Sequence, residues 1–584
     1  MLVPGSLKAG RAGAGLGIGC RLRRQVVLAL APGRYRAGAS LGIGYRSRCQ
    51  VVPGRRWSAA TLGTVNTLEG NPTAWDSARY LREVLRAPVY EVAEHTPLQP
   101  MPALSERLDC TVQVKREDLQ AVHSFKIRGA YNAMCALDEQ ARARGVVTAS
   151  AGNHAQGVAC SASRLGVSAL IVMPTVTPRI KVDAVRALGG EVLLHGENFD
   201  AAKAEALRLS QDEGRTFIAP FDDPRVIAGQ GTIGLELIQQ DARLDRVFVP
   251  VGGGGLAAGI AVLVKQLMPG LQVIGVEHEE SACLAAAITA GGPVTLSHVG
   301  LFAEGVAVRR IGDETYRLCS ELLDDVVTVS SDEVSAAVKD IFEDVRAISE
   351  PSGALALAGL KRYVAEQEVS GERLACVLSG ANLNFHQLRY ISERSEVGEQ
   401  REAVLGVTIP ERQGEFLRFV SVLGGRAVTE FSYRVARQDP MEDARIFVGV
   451  GLTRGREERA EIVHDLRQAG YDVVDLTDDE LAKVHVRSLA GGRAPEGLSE
   501  RLFSFEFPES PGALMNFLEN LGTRWNVTLF HYRTDGADYG RILTAFQTGS
   551  SEREATDLRR HMDRLGYVYR EETDNPAARF FLGS

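Results

Sequence analysis

Four separate stretches hold residue types that could act on one small molecule. Residues 121–132 read Ala-Val-His-Ser-Phe-Lys-Ile-Arg-Gly-Ala-Tyr-Asn, with Lys126 at a loop-to-helix junction. Residues 150–157 read Ser-Ala-Gly-Asn-His-Ala-Gln-Gly, between an apolar strand and a helix. Gly252, Gly253, Gly254 and Gly255 close the apolar run at 247–251. Ser379-Gly380-Ala381-Asn382 follows the apolar run Leu374 to Leu378. A lone lysine is ordinarily a solvated surface charge. In this company it becomes one part of a set: an amine, a carboxylate cradle, a phosphate cradle and a partner for a ring nitrogen. That set is what pyridoxal phosphate requires, since a lysine can hold the cofactor as a Schiff base and later serve as the base.

The glycine run is the most explicit of the four. Strand, glycines and then a helix N-terminus let backbone N–H groups converge on an anion that the helix dipole favours. The run lacks the Lys-Ser/Thr of a Walker loop and the GxGxxG spacing of a dinucleotide site, so a monophosphate is expected. Residues 150–157 also lead into a helix N-terminus and can bind a second anion. His154 there reads as a helix-start residue satisfied by backbone rather than as a general base.

The elements around these stretches alternate. Helices are expected over 76–86, with Asp76 as N-cap, and over 154–165, 178–188, 199–213 and 256–268. Strands are expected over Val112 to Lys115, Val146 to Ser150, Ala169 to Met173, Glu191 to Leu194, 247–251 and Leu374 to Leu378. These strands are short, apolar and unalternating, as in a sheet covered on both faces. The expected architecture is α/β with a largely parallel sheet.

Bulk properties narrow the function. A chain of 584 residues is too long for one core and should divide into three or four domains. The net charge of −8 argues against a nucleic-acid surface, and no stretch is apolar for long enough to span a bilayer. The eight cysteines are scattered without a CxxC pair, so neither a metal site nor a disulfide framework is expected. A reduced, cytoplasmic setting fits best.

Residues 1–68 differ from the rest. They hold Lys8 and ten arginines, and the first acid is Glu69. The run Arg-Ala-Gly-Ala-Gly-Leu-Gly-Ile-Gly-Cys at 11–20 returns as Arg-Ala-Gly-Ala-Ser-Leu-Gly-Ile-Gly-Tyr at 36–45. An Arg-rich, acid-poor start is similar to a plastid or mitochondrial transit peptide, yet such peptides need no repeat. We read the segment as a basic, disordered extension, translated from an early start codon.

On Lys126 in its Ser-Phe-Lys-Ile-Arg-Gly setting, the loop Ser150 to Gly157, the four glycines and the Ser379 turn, the chain resembles the threonine dehydratase family. The likeness runs from about Tyr80 to the C-terminus. It implies a fold-type II (tryptophan synthase β-like) catalytic domain over 76–395 that uses pyridoxal 5′-phosphate to deaminate L-threonine, and also L-serine. It implies Lys126 as the catalytic lysine that holds the cofactor. Phe125, Asn153, Gly252 to Gly255 and Ser379 are implied as cofactor contacts, with Asn153 on the ring hydroxyl and Ser379 on the pyridine nitrogen. A hydroxyl cannot keep that nitrogen protonated as an aspartate would, which suits elimination over racemisation. The substrate carboxylate is implied to meet backbone N–H groups of Ser150, Gly152, Asn153 and His154. The Glu350-Pro351-Ser352-Gly353-Ala354 turn matches a family segment except at Ser352, where alanine is expected, and Phe302 to Gly305 is expected to line the cleft.

Beyond Gly398 a new repeat begins. Ile409-Pro410-Glu411-Arg412-Gln413-Gly414 pairs with Phe507-Pro508-Glu509-Ser510-Pro511-Gly512, Phe419 with Phe517, and Tyr433-Arg434 with Tyr532-Arg533, at a spacing of 98 and then 99 residues. Each copy reads strand, helix, strand, strand, helix, strand, the ferredoxin-like order. The copies, at 400–490 and 498–584, resemble ACT-type amino-acid-sensing domains. The resemblance implies isoleucine as inhibitor, valine as activator and a homotetramer. Leu514, Leu518 and Leu521 share one face of a helix and are the candidate isoleucine contacts.

Overall fold

A computed structural model describes residues 75–582 except 386, 411–414, 425, 427, 435–443, 487–498, 509–519, 521–524, 526, 534–538 and 549–550. The basic extension 1–68 and the isoleucine candidates Leu514, Leu518 and Leu521 therefore lie outside the described residues.

The catalytic region holds two sheets where the sequence suggests one. The larger has six strands, in the order Leu98–Pro100, Thr111–Arg116, Arg373–Leu378, Arg246–Pro250, Gln272–His278 and Asp325–Val329. Only its first pair is antiparallel. The smaller has four parallel strands, Glu191–Leu194, Ala169–Met173, Val146–Ala149 and Thr216–Phe217. An apolar run specifies a buried strand, but its hydrogen-bond partners are distant in sequence, so the division into two sheets is not local information. Each sheet has its own core: Val114, Phe248, Ile274 and Leu355 in one, Val146, Ile171, Val158 and Ala159 in the other.

Three helices meet at glycines and carry the site. Pro224–Gln240, a helix with no counterpart in the sequence expectations, is capped by Asp223, whose carboxylate accepts from Arg225 N at 2.7 Å. Its Gly229 and Gly231 cost helix propensity, roughly 1 kcal/mol each relative to alanine. Here they let backbones touch. A Cβ on Gly229 would stand 2.6 Å from Arg128 O, on helix Lys126–Cys135, and one on Gly231 would stand 2.8 Å from Gly259 O, on helix Gly255–Leu267. The helix that begins with Lys126 and the helix that follows the glycine run are thus seated on one scaffold helix.

Beneath Lys126 lies a fully buried set of charges. Arg128 donates to Glu117 at 2.8 Å and to Glu236 at 2.6 Å, and Lys115 meets Glu236 at 2.5 Å, with all four side chains shielded from solvent. Tyr90 and Thr96 donate to the same carboxylates at 2.9 and 2.6 Å. Burial works to raise Glu236, yet Arg128 and Lys115 hold its carboxyl below the usual range.

The two C-terminal copies have the expected topology. Glu402–Ile409 lies between Ala444–Gly451 and Asp472–Asp475, with Val428–Arg434 at the edge. Glu500–Pro508 lies likewise between Tyr539–Gln547 and Val568–Glu571, with Val527–Arg533 at the edge. Each edge strand shifts register at the same place, between Val428 and Glu430 and between Val527 and Leu529. The copies also share a core in which Val404 and Phe447 pack with Leu502, Leu543 and Ala545.

Candidate active site

Lys126 begins its helix, and Phe125 precedes it as N-cap. The lysine enters a cavity lined also by Phe125, Asn153, Gly252 to Gly255, Glu350 and Ser379. Its Nζ donates to the Pro220 carbonyl at 3.0 Å. Burial pushes the amine down to about 8, against the opposing pull of Glu350. A lysine so placed is partly neutral near neutral pH, which is the form a base or a nucleophile needs.

The glycines are constrained by what surrounds them. Gly254 has φ 88°, and a Cβ on Gly252 would stand 2.7 Å from Val306 Cα. A Cβ on Gly253 would fall into the Phe221 ring. All four glycines line the cavity at the start of helix Gly255–Leu267, at the positive end of its dipole. With the amine and the Ser379 hydroxyl in the same cavity, this donor set fits a pyridine aldehyde that carries one phosphate. Ser379 Oγ donates to Ser352 O at 3.3 Å.

The 150–157 segment divides. Asn153 reaches the cavity, where its amide nitrogen donates to Glu350 at 2.6 Å and its amide oxygen accepts from Asn382 at 2.7 Å. Ser150 Oγ accepts from Gly152 N at 3.3 Å, a turn that shapes the loop beside the cavity. His154 faces inward: its Nε2 donates to Ile218 O at 3.0 Å. Burial and the Lys126 charge press its imidazole down to about 3, so it stays neutral at working pH.

Two features are absent from the sequence reading. Glu350 appears there only as part of a matching turn, yet its carboxylate stands in the cavity, raised by burial. A glutamate before a helix-starting proline was the available signal. The second is an ion pair, Lys181 to Glu304 at 2.6 Å, which ties a helix of the small-sheet lobe to the cavity wall at Gly305 and Val306. Among the described residues, no group of three or more His, Cys, Asp or Glu is placed to hold a metal ion. No described helix is long and apolar enough to cross a membrane.

One consequence can be measured on protein stripped of cofactor. The folded Lys126 amine lies near 8 against 10.5 for the free side chain. The folded state therefore binds fewer protons than the unfolded state between those values, and Lys126 becomes less destabilising as pH rises through them. A Lys126→Met variant should melt above wild type at neutral pH, and the gap should narrow toward pH 10.5. A gap constant with pH would contradict the depressed amine.

Residues 89–380 match the family described as pyridoxal-phosphate dependent enzyme, and residues 393–486 and 491–582 match the C-terminal regulatory domain of threonine dehydratase. The fold and the site thus define a fold-type II pyridoxal-phosphate enzyme with two appended regulatory domains. The chain is 65% identical over 515 residues to L-threonine dehydratase biosynthetic IlvA of Escherichia coli (strain K12), covering 88% of this chain and 98% of that one. It is 45% identical to the mitochondrial threonine dehydratase of Saccharomyces cerevisiae, covering 86% of this chain and 89% of that one. The processed form of threonine deaminase isoform 2 from Solanum lycopersicum superposes with a TM-score of 0.54 at 48% identity, covering 56% of this chain and 95% of that one. The chain belongs to the biosynthetic threonine dehydratases.

Proposed function

We propose that the chain deaminates L-threonine to 2-oxobutanoate and ammonia, accepts L-serine as a second substrate, and supplies the first step of isoleucine synthesis. The observation that carries the reading is a buried amine depressed to about 8 in one cavity with the four glycines that open a helix and with Ser379. Bound pyridoxal phosphate supplies the electron sink for the carbanion formed at Cα.

The residues divide the work. Gly252 to Gly255 would hold the phosphate, and Lys126 would anchor the aldehyde. Lys126, oriented by Pro220 O and neutral in part, would take the Cα proton of the substrate. Ser150, Gly152, Asn153 and His154 form the loop proposed to hold the substrate carboxylate, through the N–H groups of Asn153 and His154, because Ser150 N–H donates to Val172 O at 3.2 Å and Gly152 N–H to Ser150 Oγ at 3.3 Å. Asn153, braced by Glu350 and Asn382, positions the ring. Ser379 would meet the ring nitrogen with a hydroxyl, which suits elimination over racemisation. Loss of the Cα proton and the hydroxyl removes water, and hydrolysis of the resulting imine gives the keto acid and ammonia.

The domains are proposed as catalytic 76–395 and regulatory 400–490 and 498–584, in a cytoplasmic homotetramer. Isoleucine is the proposed inhibitor and valine the activator. Leucines 514, 518 and 521 would take the isoleucine side chain. Purified holoenzyme should release 2-oxobutanoate from threonine and pyruvate from serine, and isoleucine should suppress both. Absence of keto acid would refute the activity. Leu514→Phe should fill the effector pocket and raise the half-inhibiting isoleucine concentration by about fivefold or more, the lower end of allosteric coupling. Superposed isoleucine titrations of wild type and variant would move the effector site away from Leu514.

A further inference from the structure

The cavity wall at Phe302 to Val306 is gripped from two sides. Glu304 is held across the cleft by Lys181. On the other side the buried Phe302 ring packs on Tyr390 at 5.6 Å and on His278 at 6.1 Å. Tyr390 belongs to helix Gln387–Gly398, which leads from the catalytic region into the first regulatory copy.

The second regulatory copy reaches that tyrosine directly, and the first reaches it through Arg394. Its hydroxyl accepts from Arg394 and, at 3.0 Å, from Arg541 on strand Tyr539–Gln547 of the second copy. Both guanidiniums also lie over its ring, at 5.1 and 5.4 Å from the centroid. Arg394 forks onto Glu480 with two bonds of 2.8 Å, and Arg541 reaches the same carboxylate at 3.2 Å. Glu480 opens the short helix that follows the last strand of the first copy. Lys483, on that helix, and Arg394 both bind Asp332 of the catalytic region, at 2.5 and 2.6 Å. Val484, one residue on, packs into the catalytic core.

Resting on the regulatory reading above, we propose that the Tyr390–Arg394–Glu480–Arg541 cluster is the junction that transmits the state of the regulatory copies to the active-site wall. A phenol oxygen shared by two cations has two arrangements available, with and without Arg541. Any ligand that moves the second copy's sheet favours one of them, and the Tyr390 ring carries the difference to Phe302 and on to Gly305 and Val306 in the cavity. A shift of this kind needs a discrete element that both sites bias, and the shared hydroxyl provides one.

The test uses full-length holoenzyme, as wild type, Arg541→Met and Tyr390→Phe. Arg541→Met leaves Glu480 paired with Arg394, and Tyr390→Phe keeps the ring on Phe302. Both should keep isoleucine binding by calorimetry and turnover without isoleucine within about twofold, while the half-inhibiting concentration rises about fivefold or more. Amide exchange over residues 300–306 should quicken in both variants, a readout that needs no effector. Unchanged exchange there, or inhibition curves that superpose on wild type while isoleucine still binds, would overturn the junction. If isoleucine does not bind wild type, the effector reading falls, and the exchange comparison alone decides the junction.

Discussion

Lys126→Ala is expected to abolish turnover while leaving the fold intact. The side chain is at once the anchor of the cofactor and the nearest base, and its depressed amine is what makes both roles possible near neutral pH. Loss of a proton-transfer group costs about 10²–10⁴-fold, and loss of the anchor adds to it, so kcat should fall by more than about 10²-fold. Stability should not fall, because removal of a buried amine also removes its desolvation cost. The phosphate cradle remains, so the variant should still retain cofactor reversibly. Keto-acid release from threonine and a melting curve measured together check the expectation. Near-normal turnover without added amines would show that another residue does the work.

Arg128→Met is expected to have the largest effect on stability. The guanidinium bonds Glu117 through two nitrogens at 2.8 Å and Glu236 at 2.6 Å, and adds Thr232 and the Glu94 carbonyl at 3.2 and 3.1 Å. Methionine fills the space but strips one cation from a site that holds two carboxylates. Breaking a buried pair in this way costs about 3–5 kcal/mol. Adding Glu117→Gln should recover part of the loss, because the remaining carboxylate keeps Lys115. Denaturant titration of the single and double variants measures both. Since Arg128 shares its helix with Lys126, turnover in the folded fraction should fall too. A single variant as stable as wild type would show that the buried charges are decoration.

Much of the catalytic lobe is legible residue by residue. Ala169 to Met173, Glu191 to Leu194 and 199–213 coincide with the observed elements because each is a continuous local pattern. Asp76 caps its helix as expected, accepting from Arg79 N at 2.6 Å. What escapes the sequence is what depends on distant partners. Pro224–Gln240 is hidden by Gly229, Gly231 and Gly234, which read as breakers until the neighbouring backbones are seen against them. Glu350 is hidden because a carboxylate ahead of a proline reads as a helix start, and only the fold aims it at Asn153. Lys181 and Glu304 are 123 residues apart, and no local signal pairs them. Tyr390 and Arg541, 151 apart, are the same case. His154 donates to a backbone carbonyl, Ile218 O at 3.0 Å, as expected of a helix-start residue satisfied by backbone.

Lys126 is the residue proposed to carry the cofactor with which this chain deaminates threonine. Borohydride reduction of the holoenzyme, followed by peptide mass spectrometry, tests it most directly, because reduction fixes the cofactor to the lysine that holds it. One pyridoxyl adduct per chain is expected, on the peptide that contains Lys126, with turnover lost in proportion and threonine protecting against both. An adduct on another lysine, or full activity after stoichiometric labelling, would contradict it.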